Sequence, residues 1–201
     1  MTHNVGIFVF DEVEVLDFAG PFEVFTTASR VRARLDPASP PLFKVFTVGA
    51  GTAVLRARAG LRVLPDHAFW QHPPIDVLVI PGGVVDAELA RPAVMEWITA
   101  TAAASTLTAS VCTGAFLLAR AGLLDGKCAT THWEDADDMA RDFPAVTVQK
   151  NVRWVDAGRL VTSAGISAGI DMSLHLVEKI AGRELAVRTA RQMEFDWTEN
   201  A

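Results

Sequence analysis

Short aliphatic and aromatic runs alternate along the chain with longer stretches whose apolar positions recur every three or four residues. That order predicts parallel strands joined by crossover helices. The first run, Val5-Gly-Ile-Phe-Val-Phe10, reads as a buried strand. A helix is expected from Pro21, which suits a first helical position because the missing N–H has no partner there, to about Arg34. Asp36-Pro-Ala-Ser-Pro-Pro41 ends it, Phe43 to Val48 is the next strand, and Val54 to Leu64 is expected to form a hairpin pair. Ile75-Asp-Val-Leu-Val-Ile80 is nearly uninterrupted, and continuous aliphatic character marks a strand covered on both faces, as in the middle of a doubly wound sheet.

The alternation continues with a helix over Ala93–Ala104, an interior strand over Thr106–Val111 and a helix over Gly114–Ala121 that Gly122 can stop. Asp125-Gly126 supplies a turn before a short strand, Lys127–Thr130, and Trp133–Arg141 reads as a polar helix. Thr147–Val155 and Arg159–Ser163 flank Asp156-Ala-Gly158, a hairpin turn with glycine available for positive φ. Gly169–Ala181 and Glu184–Met193 are the closing helices. Without repeats, linkers or low-complexity tracts, the reading is one α/β domain over residues 1–201, with a mostly parallel, doubly wound sheet and helices on both faces.

Composition removes several function classes. Half of the 201 residues are apolar, enough for an ordinary core without disulfides or metals. The 18 Lys and Arg are dispersed among 24 carboxylates, so the net charge of −6 argues against a nucleic-acid partner. The N-terminal segment has no basic leader, and Asp11, Glu12 and Glu14 interrupt its apolar run, so neither a signal peptide nor a membrane span is expected, and a cytoplasmic location is. Cys112 and Cys128 are too few for a disulfide framework, and the five histidines show no ligand spacing, so reduced thiols and no metal are expected.

In an open parallel sheet, ligands gather outside the carboxyl ends of the strands. By the strand assignment, Asp17, Gly82, Gly83, Cys112, Thr113 and His132 fall at that edge. Cys112 sits at a strand-to-helix turn like a nucleophile elbow, where the next residue's N–H helps form an oxyanion hole. A helix N-terminus favours the thiolate, and a carboxyl group sharing its pocket would then keep its proton, which makes Asp17 an acid–base partner. Plainer readings stand beside these: Cys112 as a small buried hydrophobe, Asp17 as a helix cap before Phe18, Gly82 and Gly83 as a tight turn, and His132 as a loop hydrogen-bonding residue. Cys128, in a short strand, reads as packing, and His67, His72 and His175 as surface or structural residues.

Leu16-Asp-Phe-Ala-Gly-Pro21, Ile80-Pro-Gly-Gly83, Ser110-Val-Cys-Thr-Gly114, Ala121-Gly-Leu-Leu124, Thr130-Thr-His-Trp133 and Gly165-Ile-Ser-Ala-Gly-Ile-Asp171 together resemble the ThiJ/PfpI superfamily, within the class I glutamine amidotransferase-like domains. The resemblance is greatest to its isonitrile-hydrating branch. It implies a flavodoxin-like fold, a homodimer, a small-molecule substrate and no cofactor. It also implies roles: Cys112 as nucleophile, Asp17 as acidic partner, Thr113 as neighbouring hydroxyl and amide, and Gly83 as the second oxyanion-hole amide; Gly82 and His132, at the same sheet edge, are substrate-pocket candidates. Superfamily proteases place histidine after the cysteine where this chain has Thr113, which counts against proteolysis. Cofactor-independent glyoxalase chemistry on small aldehydes is an alternative the superfamily also hosts. Thiol or small-molecule sensing is another, because the same segments resemble the ligand domain of helix-turn-helix regulators. The chain's end at Ala201 favours a free-standing enzyme over such a regulator.

Overall fold

The computed structural model describes residues 1–199, so the last two residues of the expected domain lie outside it. In chain order its elements are β1 (His3–Phe8), α1 (Val15–Leu35), β2 (Phe43–Gly49), β3 (Leu55–Arg56), β4 (Arg62–Val63), β5 (His67–Ala68), β6 (Val77–Ile80), α2 (Asp86–Leu89) and α3 (Pro92–Ala104). There follow β7 (Leu107–Val111), α4 (Gly114–Arg120), β8 (Cys128–Ala129), α5 (Ala136–Asp142), β9 (Thr147–Val148), β10 (Trp154–Asp156), β11 (Leu160–Ser163), α6 (Ala168–Ala181) and α7 (Arg183–Gln192).

The main sheet has the order β10-β11-β7-β6-β1-β2-β5, and only the β10–β11 pair is antiparallel. The architecture is the mostly parallel α/β fold of flavodoxin type. Successive residues of the central strands enter opposite cores, which explains their unbroken apolar runs. Val77 and Val79 join Phe25, Met172 and Leu185 from α1, α6 and α7. Leu78 and Ile80 join Val94, Ile98 and Leu117 from α3 and α4 on the other face. The chain leaves β1 toward β2 and later returns to β1's other side with β6, so the crevice at the ends of β1, β6 and β7 is the topological switch point.

Several boundaries differ from the expectations. Helix α1 starts at Val15, capped by the Glu14 carboxylate, and Pro21 lies inside it. Burial of Val24, Phe25 and Val31 along one face outweighs the single backbone hydrogen bond a proline forfeits. Asp17 is therefore inside the first turn of the helix and not its cap. The expected Thr147–Val155 strand is divided into β9 and β10, separated by Asn151 at φ 60°. Cys128 is exposed and does not pack. Its two-residue strand pairs only with β9, and the neighbouring Ala129 takes the buried side. His67 forms the edge strand β5 against Phe46, and His72 accepts a hydrogen bond from Trp97 Nε1 at 3.1 Å. His175 pairs with Asp156 at 2.8 Å. Among the described residues, no helix is long and apolar enough to cross a membrane.

Candidate active site

Three loops at the switch point bring the predicted residues together. The segment after β1 pairs with the segment after β6: Glu14 N–H donates to Gly82 O at 2.8 Å, and Val84 N–H donates to Glu12 O at 3.1 Å. This ribbon delivers the first turn of α1, and with it Asp17, to the end of β6. Gly82 must lack a side chain, because a Cβ there would lie 2.5 Å from Thr113 Oγ1 and 2.6 Å from Thr113 N. Gly83 has φ 138°, and a Cβ on it would strike Glu12 O at 2.2 Å. The two glycines thus let the β6 loop press against both the ribbon and the cysteine turn.

Cys112 has φ 57°, a left-handed conformation unusual for a residue with a side chain, as a nucleophile elbow requires. The turn is held from several sides. Cys112 N–H donates to Ser163 O at 3.2 Å, and its carbonyl accepts from Thr131 Oγ1 at 2.9 Å. The residue is 7% exposed and lines a cavity of about 320 Å³ with Glu14, Arg58, Thr113, His132, Asp135 and Ile166. A larger groove of about 550 Å³ between α1 and α7 contains no cysteine and no histidine. The smaller cavity holds Cys112, Thr113, Gly83 and His132, which the sequence singled out.

Asp17 is fully buried beside the thiol. Gly82 N–H donates to its Oδ2 at 3.1 Å. The Cys112 thiol and the Ile166 amide also act on the carboxyl, yet neither completes a hydrogen bond to Oδ1, which is buried and unpaired. A buried carboxylate oxygen without a donor is costly, and a proton on it removes the cost. Burial accordingly raises the Asp17 carboxyl to about 7, with the Glu14 charge adding to the effect and the Gly82 amide opposing it.

The thiol departs from expectation. Burial raises Cys112 to about 12, with the Asp17 charge as the next cause, while the Thr113 amide and hydroxyl pull the other way. The expected pre-ionised thiolate is corrected accordingly. Stripping water from the sulfur is the largest effect, and the Thr113 amide at the start of the seven-residue helix α4 offsets it only in part. Above about pH 7 the pair holds one proton between sulfur and carboxyl, and the two ionisations belong to the pair.

Thr113 and Gly83 are tied to each other. Gly83 N–H donates to Thr113 Oγ1 at 2.9 Å, and the hydroxyl donates to Gly83 O at 2.8 Å. The Gly83 amide, expected as an oxyanion donor, is therefore engaged at rest, and the hydroxyl's one hydrogen can go to Gly83 O or toward the sulfur. His132 lines the cavity with Nδ1 3.4 Å from Asp135 Oδ2, and its ring lies against Gly165, where a Cβ would come within 2.2 Å. The cavity also draws in Arg58, from the turn between β3 and β4, and Ile166, neither of which sequence reasoning singled out. Ile166 falls inside the quoted Gly165–Asp171 motif, a signal that could have found it; no comparable signal marks Arg58.

Comparison with known proteins shows the family and the fold. The model of the DJ-1/PfpI family matches residues 3–179. The chain is 33% identical over 196 residues to an isonitrile hydratase of Pseudomonas putida, covering 97% of this chain and 79% of that protein. It is 29% identical to the HTH-type transcriptional regulator GbdR of Pseudomonas aeruginosa, spanning 98% of this chain and 52% of the regulator. Among solved structures, a ThiJ/PfpI family protein from Pseudomonas syringae superposes with a TM-score of 0.84 at 27% identity, over 98% of this chain and 76% of that one. Drosophila melanogaster DJ-1beta gives 0.82 at 21% identity, covering 98% and 100%, which shows the shared fold.

Proposed function

Because this chain belongs to the DJ-1/PfpI family, we propose that it is an enzyme that hydrates isonitriles to N-substituted formamides, with Cys112 as nucleophile and Asp17 as the group that moves protons. The observation that carries this reading is the buried pair itself, a cavity-lining thiol backed by the fully buried Asp17 carboxyl, with the Thr113 hydroxyl beside it and no histidine after the cysteine. An isonitrile needs a sulfur and a hydrogen added to one carbon. A thiol that gives its proton to a neighbouring carboxylate supplies both.

The steps balance without a cofactor. Asp17 carboxylate takes the Cys112 proton as the sulfur bonds to the terminal carbon, then passes that proton to the same carbon, leaving a thioformimidate. Asp17 next takes a proton from water as the oxygen adds to that carbon, and the nitrogen receives it. Collapse forms the formamide carbonyl and breaks the carbon–sulfur bond, and the hydroxyl proton returns to sulfur through Asp17. One water is consumed and the thiol is restored. Thr113 assists if its hydroxyl hydrogen turns from Gly83 O to the sulfur when negative charge develops there, while its oxygen goes on accepting from the Gly83 amide.

Two further parts of the reading concern surroundings. A homodimer fits exposed apolar side chains such as Val84, at 43% exposure, and the cavity-lining Ile166, at 41%. The likeness to GbdR supports small-molecule sensing as the second reading. Incubation with cyclohexyl isonitrile or with methylglyoxal, followed by measurement of formamide and lactate, separates the possibilities. Formamide from the wild type and none from Cys112→Ala is expected. Lactate alone would replace the proposal with glyoxalase chemistry, and binding without product from either would replace it with sensing.

A further inference from the structure

The turn over residues 164–167 carries backbone strain at the site beyond that of the cysteine. Ile166 has φ 54°, a genuine outlier for a β-branched residue, and such a conformation persists only where its surroundings enforce it. Ile166 lines the cavity with Cys112, and its amide lies close enough to the Asp17 carboxyl to favour the ionised form without completing a hydrogen bond to it. Gly169 N–H donates to Ile166 O at 3.2 Å, and Arg153 reaches the residues on both sides of the turn. The Arg153 carbonyl accepts from Ala164 N–H at 2.9 Å. Its guanidinium donates from Nη2 to Ser167 Oγ at 3.3 Å and from Nε to Asp171 Oδ2 at 2.8 Å, with Nη2 also paired to that oxygen.

Asp171 is a fully buried carboxylate in the first turn of α6. Its other oxygen accepts from Thr198 N–H at 2.8 Å, and its backbone carbonyl accepts from Trp197 Nε1 at 3.1 Å. The planar fork of Arg153 therefore spans the entry of α6, from Ser167 just before the helix to Asp171 inside it, and the backbone of the same residue pins Ala164 on the other side of Ile166. We propose that Arg153 is a positioning residue: by bridging Ser167 and Asp171 it holds the turn that carries Ile166 in the cavity wall beside Cys112 and thereby sets the readiness of Cys112 to attack.

The proposal rests on the geometry of the site and on Asp17 as the proton partner, and its main readout needs no isonitrile. Glu14 on the same helix, Cys112 from the β7–α4 turn, His132, Glu134 and Asp135 across the cavity and Arg58 from the hairpin also face the pair, and all stay in place in the variants. Alkylation of Cys112 by iodoacetamide is followed against pH in a Cys128→Ser background, which removes the exposed thiol. The wild type is expected to accelerate through about pH 7, where the pair loses its first proton. Arg153→Lys keeps a charge beside Asp171 without the planar fork. It is expected to move the midpoint up by roughly half a pH unit and to slow alkylation at pH 7 by about twofold. Arg153→Ala shifts it further, and Ser167→Ala, which removes only the exposed arm, shifts it less in the same direction. A purely structural role would lower the melting temperature and leave the midpoint where it was. An unchanged midpoint in folded Arg153→Lys and Ser167→Ala overturns the proposal. A parallel isonitrile assay is expected to show kcat reduced with KM unchanged. Failure of the wild type in that assay would count against the enzymatic reading alone, because the alkylation profile stands independently.

Discussion

Asp17→Asn should make the protein more stable at pH 8 while leaving it nearly unchanged at pH 4. Asparagine keeps the side chain's shape and cannot ionise. The wild-type carboxyl is raised from the ordinary 3.8 to about 7, chiefly by burial. The folded state therefore holds this proton more tightly than the unfolded chain does. The resulting stabilisation is complete below about pH 3.8 and is lost as pH rises through about 7. At 1.36 kcal/mol per pH unit, the difference between 3.8 and about 7 corresponds to about 4 kcal/mol as an upper bound. For a chain of this size that is a melting-temperature difference of roughly 8–16 °C at most. Cys112 contributes nothing to this window as a thiol, because its own ionisation is pushed up, to about 12. The assay is thermal unfolding of both proteins from pH 4 to pH 8. Every other carboxylate is common to the two, so the difference between the curves isolates Asp17. The melting-temperature gap should open between pH 4 and pH 8 in favour of the variant. Parallel curves would show that the carboxyl ionises freely and would refute the burial argument.

Three further outcomes follow from the packing. Gly82→Ala places a methyl group 2.5 Å from Thr113 Oγ1, and the displaced elbow should cost about 1–3 kcal/mol in denaturant unfolding and slow Cys112 alkylation. Cys128→Ser should change stability by less than about 0.5 kcal/mol, and in the wild type at pH 7 the exposed Cys128 should be alkylated before Cys112, as peptide mapping will show. Sedimentation at micromolar concentration should give twice the 21.6 kDa chain mass. A single species at the chain mass would remove the homodimer from the account.

The fold was legible where burial is two-sided and regular. Val77–Ile80 and Leu107–Val111 are continuous apolar runs because alternate residues enter different cores, and a sequence displays that directly. Cys112 was legible as well, since a buried strand running into Thr113-Gly114 leaves little choice but a tight turn. The start of α1 was obscured by Pro21, whose local preference pointed to a first helical position that tertiary packing overrode. Strand β5 and helix α2 are too short to impose a period. The protonation of the thiol was misjudged because a sequence reveals a helix N-terminus but not how completely the sulfur is stripped of water. The bond between Gly83 and Thr113, 30 residues apart, and the Arg153 fork to Asp171, 18 residues on, depend on loop geometry with no periodic signature.

The most direct measurement on the central claim is mass analysis of the Cys112 peptide from protein quenched during turnover of an excess of isonitrile. Addition of S–H across the terminal carbon retains every atom of the substrate, so the peptide should gain the full mass of the isonitrile, with no gain at Cys128 and none in Cys112→Ala. Formamide produced at the wild-type rate by Cys112→Ala, or turnover with the adduct confined to another residue, would contradict the account.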